Sequence, residues 1–150
     1  MAVADEAVAT LHDLLARRMD EYQRRLNQLD KKGADDFATV VNAAFFEATR
    51  RRFMKDGKPA GDTEVIDYVA YARSWDEGSA EEIDPQTGEL LINFALEKLS
   101  LDALNGLDKD VSFRTTMMLL ATFTRDADYS EDELAEFMES VKEVARAMLS

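Results

Sequence analysis

The chain has 150 residues, 46% of them apolar and 33% charged, with a formal net charge of −13. That length supports one ordinary domain with a buried core and is too short for two well-buried ones, so a single helical domain over residues 1–150 is the expectation. With no cysteine, two prolines and six glycines, the composition excludes disulfide frameworks, thiol chemistry, cysteine metal sites, proline-rich linkers and collagen-like repeats.

The first 30 residues carry the most regular pattern. Val8, Leu11, Leu15, Met19, Tyr22, Leu26 and Leu29 are spaced by three or four, with a mean of about 3.5, the period that keeps one stripe facing a partner helix. The spacing predicts one amphipathic helix over residues 4–30, about 40 Å long. Such a helix could lie across its own domain or form a homo-oligomer contact with a second copy. Lys31-Lys32 and Gly33 then read as its basic last turn and its stop.

Asp35 or Asp36 can cap the next helix, whose apolar positions run from Phe37 to Phe53 and which should end near Lys55. The stretch Asp56-Gly57-Lys58-Pro59-Ala60-Gly61 has turn composition. Asp62 or Thr63 can open a third helix, with Val65, Ile66, Val69 and Ala72 on one face and an aromatic stripe of Tyr68, Tyr71 and Trp75 beside it. The acidic segment 76–88 reads as a loop with at most one short turn near Ser79.

Leu90 to Leu101 traces a fourth helix, continued by Leu104 and closed by Asn105-Gly106. A fifth opens at Asp110 or Ser112, with Phe113, Met117, Leu120 and Phe123 on its deepest side. Ser130 and Glu133 have the spacing of a capping box and lead into a sixth helix through Leu134, Phe137, Met138, Val141 and Met148. The fold class is therefore all-α, a compact bundle of about six helices with a long amphipathic N-terminal helix.

The charge is unevenly placed: residues 1–60 carry 11 Lys/Arg against 10 Asp/Glu, residues 61–110 carry 3 against 13, and residues 111–150 carry 4 against 8. An acidic field of that kind opposes nucleic acid and anionic lipid, although the same field could mimic nucleic acid towards a basic protein. Arg50-Arg51-Arg52 reads as a complement to a helix C-terminus rather than a recognition surface. The acidic start and the absence of a long apolar run predict a cytoplasmic protein with no membrane segment.

The usual catalytic kits are missing. His12 is the only histidine and flanks the apolar stripe, which removes Glu-x-x-His diiron pairs, zincin motifs and conventional Ser-His-acid chemistry. Asp126, Asp128, Ser130 and Asp132 have the first spacings of a calcium loop, but Glu131 replaces its glycine and Phe137 its bidentate acid. No phosphate-binding glycine loop is present. We therefore expect no catalytic residue, metal or cofactor.

What remains is an aromatic segment beside acids. Tyr68, Tyr71, Arg73 and Trp75, followed by Glu77, Glu81 and Glu82, could form an apolar platform with an acidic rim for a protein or basic peptide partner. The main functional expectation is thus a noncatalytic protein-interaction or regulatory module. The alternative is a small-molecule-binding domain with an internal cavity lined by Phe45, Tyr68, Tyr71, Met117 and Phe123. The same aromatics would equally serve as a filled core, and on that basis removal of Trp75 would cost about 3–5 kcal/mol.

Overall fold

The structure is a computed structural model that describes residues 3–149. The chain is all-α. Among the described residues eight α-helices follow one another, with one 3₁₀ turn and one two-residue β-hairpin: α1 Asp5–Leu15, α2 Met19–Gln28, α3 Lys31–Phe53, β1 Met54–Lys55, β2 Lys58–Pro59, α4 Asp62–Arg73, α5 Glu77–Glu82, α6 Pro85–Ala95, the 3₁₀ turn Leu101–Leu104, α7 Lys109–Ala127 and α8 Glu131–Leu149. They group into two compact units. The first comprises the described residues up to 47 and from 127 onward, the second residues 48–126.

In the first unit the long N-terminal helix expected over residues 4–30 is two helices. Arg17 adopts φ 63°, a left-handed conformation that a continuing α-helix forbids. The break is organised by Asp13, whose buried carboxylate lies 2.7 Å from Arg25 Nε and 3.6 Å from Arg18, while its carbonyl accepts the Arg18 N–H. A straight helix would carry Arg18 and Arg25 away along its axis; the turn returns both to Asp13. The apolar stripe is divided accordingly, with Val8, Leu11 and Tyr22 buried but Met19 49% exposed. Lys31 and Lys32 open α3 rather than closing the previous helix, and Gly33 lies inside it. Its N–H is taken by Asp30 Oδ1 at 2.7 Å, so the cap is Asp30 and not Asp35 or Asp36. Asp36 instead accepts the Ala4 N–H at 3.0 Å and the Lys32 ammonium at 2.9 Å. Those contacts, the Lys32 bond foremost, hold its carboxyl below the usual carboxylate range. The capping box forms as read: Glu133 N–H donates to Ser130 Oγ, and Ser130 N–H donates to Glu133 Oε1.

The second unit opens with the last turns of α3 and the hairpin. Asp56 and Gly57 both have positive φ, 54° and 77°, the pair of values that a tight two-residue hairpin turn requires. The Asp-Gly pair carries that signal in the sequence. The acidic segment is more ordered than expected. Asp76 caps α5 through the Ser79 N–H at 2.8 Å, and Asp84 caps α6 through the Thr87 N–H at 2.9 Å, with Pro85 at the first helical position. Gly88, expected in a turn, lies within α6 where the backbone comes close to Val69 and Leu119; a Cβ there would sit 3.4–3.5 Å from their methyl groups. Helix α6 stops at Ala95, and Glu97 at φ 62° ends the run that was expected to continue to Leu104, which lies instead in the separate 3₁₀ turn. On α7 the buried set is Thr115, Thr116, Leu119, Leu120, Thr122, Phe123 and Thr124. Phe113 is exposed and Met117 only half-buried, because the buried face is rotated from the one that the larger side chains suggested.

The Asp84 cap supplies a pH-linked expectation. Bonds from the Thr87 hydroxyl first and its N–H second hold the Asp84 carboxyl below the usual range. A depressed folded-state pKa means that the stabilisation is complete above the unfolded value near pH ~4 and disappears as pH falls through the lower folded value. Asp84→Ala should therefore cost about 1 kcal/mol at pH 7. In urea unfolding at a series of pH values, the gap between wild type and variant should narrow below pH ~4. A gap that stays constant down to the acid transition would show that the charged cap contributes nothing.

Candidate functional site

The aromatic segment of α4 packs on the end of α7. Tyr68 is buried, with its ring stacked on Phe123 at 5.0 Å and set edge-on to Phe53 at 5.5 Å. Phe53 also meets Phe123 edge-on at 5.9 Å, so the three rings form a closed cluster. Tyr71, one turn later, is 40% exposed, and Trp75 is 51% exposed. The stripe thus passes from core to surface. The reason is local: α4 ends at Arg73, so Trp75 lies beyond the helix and the helical period no longer directs it inward.

Two consecutive residues of α7 organise this edge. The phenolic O–H groups of Tyr68 and Tyr71 both donate to Asp126, each at 3.0 Å, one to each carboxylate oxygen. The Arg125 guanidinium lies over the Trp75 ring, 3.5 Å from its centroid, and its Nε is 4.0 Å from Asp126. Burial first, with the adjacent Asp126 charge and hydrogen bond next, pushes the Tyr68 hydroxyl far above the usual phenol range. Tyr68 is therefore a neutral donor throughout the physiological range.

In front of the two tyrosines an open cleft of about 840 Å³ is lined by Arg52, Glu64, Asp67, Tyr68, Tyr71 and Asp126, with Gly61 and Thr63 at its margin. Arg52, in the last turn of α3, holds its guanidinium 5.0 Å from the centroids of both Phe53 and Tyr68 and 3.9 Å from Glu64. Positions 64, 67, 68 and 71 fall on one helical face, which brings two acids and two phenols of α4 to the same opening.

The sequence-predicted binding residues have separate fates. Tyr68 and Tyr71 line the cleft, and Trp75 stands beyond Tyr71 with their rings 6.2 Å apart. Arg73 turns to the carbonyls of Ile83 and Ala80, at 2.9 and 3.2 Å, and so closes the C-terminal end of α5. Glu82 pairs with Arg114 at 3.0 Å, while Glu77 and Glu81 are exposed on α5. Of the alternative cavity residues, Phe123 packs behind Tyr68 and Met117 is half-buried on α7; Phe45 is buried in the first unit. The space beside the tyrosines is an open cleft rather than an enclosed cavity.

Arg52, Glu64, Asp67, Arg125 and Asp126 join the site only through the fold. The i, i+3, i+4, i+7 spacing of Glu64, Asp67, Tyr68 and Tyr71 was the available signal for α4. Asp126 carried none, since its meeting with α4 spans more than 50 residues. Among the described residues no group of three or more His, Cys, Asp or Glu side chains is placed to hold a metal ion, and no helix is long and apolar enough to cross a membrane. Comparison with family models, curated proteins and solved structures finds no match for this chain.

Proposed function

We propose that the second unit is a noncatalytic small-molecule-binding helical domain whose ligand occupies the cleft beside Tyr68 and Tyr71. The observation that carries this reading is the convergence of two aromatic rings, three carboxylates and one guanidinium on a single concave space of about 840 Å³. Small-molecule sites are commonly concavities of roughly 300–1,000 Å³, in which aromatic surface supplies contact and a few fixed polar groups supply orientation. Here Asp126 is fixed by two phenols, and Tyr68 is fixed by the ring cluster behind it. A phenol held neutral and already donating to a carboxylate supports a binding role over proton transfer near neutral pH.

A mixed set of cationic, neutral and anionic fragments, followed by amide chemical shifts of the full chain, tests the reading. At least one fragment should shift residues around Glu64, Asp67, Tyr71 and Asp126, and Tyr71→Ala should weaken it by about tenfold. Fragments that shift only other regions would overturn the assignment. The exposure of Tyr71 and Trp75 favours a second reading, in which this edge, with Glu77, Glu81 and Glu82 nearby in sequence, meets a basic protein partner. A silent cleft together with a partner footprint centred on Trp75 would select that reading.

A further inference from the structure

We propose that the ligand of this cleft is an organic cation, a compact ammonium or guanidinium group seated against Tyr71 and among the carboxylates of Glu64, Asp67 and Asp126. The inference rests on the cleft being the ligand site and adds the chemical class of what enters it. Its first support is charge. Three carboxylates line the space against Arg52 alone, and the surplus stays negative even when Arg125, at 4.0 Å from Asp126, is counted.

The second support is that the unit already uses the same chemistry on both sides of Tyr71. Arg52 lies over the Tyr68 ring at 5.0 Å, and Arg125 lies over the Trp75 ring at 3.5 Å. Tyr71 stands between those rings, 5.6 Å from Tyr68 and 6.2 Å from Trp75, and is 40% exposed. It is an accessible aromatic surface next to surplus negative charge, a pairing that favours a cation through both the ring quadrupole and the carboxylates.

The third support concerns what the cleft cannot offer an anion. Both phenolic hydrogens are spent on Asp126, so neither tyrosine has an O–H free for an incoming acceptor. Arg52 is drawn towards Glu64 and over two rings. A bare metal ion is equally ill-matched, because it needs oxygens converging on one point, whereas these carboxylates are spread around an open space.

Titration of the full chain with choline, its uncharged isostere 3,3-dimethylbutan-1-ol and the anion 3,3-dimethylbutanoate, read by amide chemical shifts, isolates the charge. Choline should shift residues 61–71 and 126, the alcohol should bind at least about tenfold more weakly, and the anion should leave them unmoved. Asp67→Asn, a substitution at an exposed position, should weaken choline several-fold while circular dichroism stays unchanged. Equal binding of choline and the alcohol in the cleft would overturn the cation assignment and leave the cleft reading standing. Silence from all three probes also overturns the assignment. The cleft reading falls as well only if the mixed fragment set is silent there.

Discussion

Phe53→Ala should lower the stability of the second unit by about 3–5 kcal/mol, whereas Trp75→Ala should cost no more than about 1 kcal/mol. Phe53 is 1% exposed and meets both Tyr68 and Phe123 edge-on, so truncation removes buried area and leaves a void that two rings cannot fill without leaving their own partners. The loss should extend to the cleft, because Tyr68 is positioned by that cluster and Arg52 lies over the Phe53 ring. Trp75 is larger, yet half of it already faces solvent, and the Arg125 guanidinium lies over its ring. The contrast reverses the ranking that residue size and the filled-core reading of Trp75 would give. Urea unfolding of both variants measures it, and a Trp75→Ala loss as large as that of Phe53→Ala would mean that the indole is buried.

Removing either side of the Asp13–Arg25 pair should destabilise the first unit by about 2 kcal/mol, with a coupling energy of at least about 1 kcal/mol between them. The Asp13 side chain is only 8% exposed, and Arg25 reaches it at 2.7 Å from the next helix. Arg25→Ala strands a buried carboxylate, with Arg18 at 3.6 Å as the remaining partner. Arg25 is itself 37% exposed, so solvent screening holds the loss below the range found for wholly buried pairs. The double variant Asp13→Ala/Arg25→Ala should cost clearly less than the two single losses together. Strict additivity would assign the turn between α1 and α2 to apolar packing instead.

How much was legible follows the reach of each interaction. The capping box at Ser130 and Glu133 and the arginines in the last turn of α3 depend on residues three or four apart, and each stands where its local chemistry places it. Helix class is legible for the same reason: a 3.6-residue apolar period is a property of neighbours along one element. The segment 76–88 differs from the loop expected for it because its acids, which look like loop solvation, serve as caps: Asp76 and Asp84 each stand three residues before the Ser79 and Thr87 N–H groups that they cap. That signal was present and local.

The remaining features were decided by tertiary contact. Periodicity over residues 4–30 cannot distinguish one long helix from two that fold back, since each half keeps the same spacing; the choice falls to Asp13, whose buried charge needs Arg25 from the far side of a turn. Likewise Tyr68, Tyr71 and Trp75 share one spacing in the sequence and end up buried, half-exposed and exposed, because α4 stops at Arg73 and α7 supplies partners only where it passes. By itself the sequence determined the class, the starts of four of the eight described helices (α1, α4, α7 and α8) and the acidity of the chain around the cleft, all carried by near neighbours. Which acid meets which aromatic was settled only when the end of α7 came to lie beside α4, because a contact between residues more than 50 positions apart leaves no period to read.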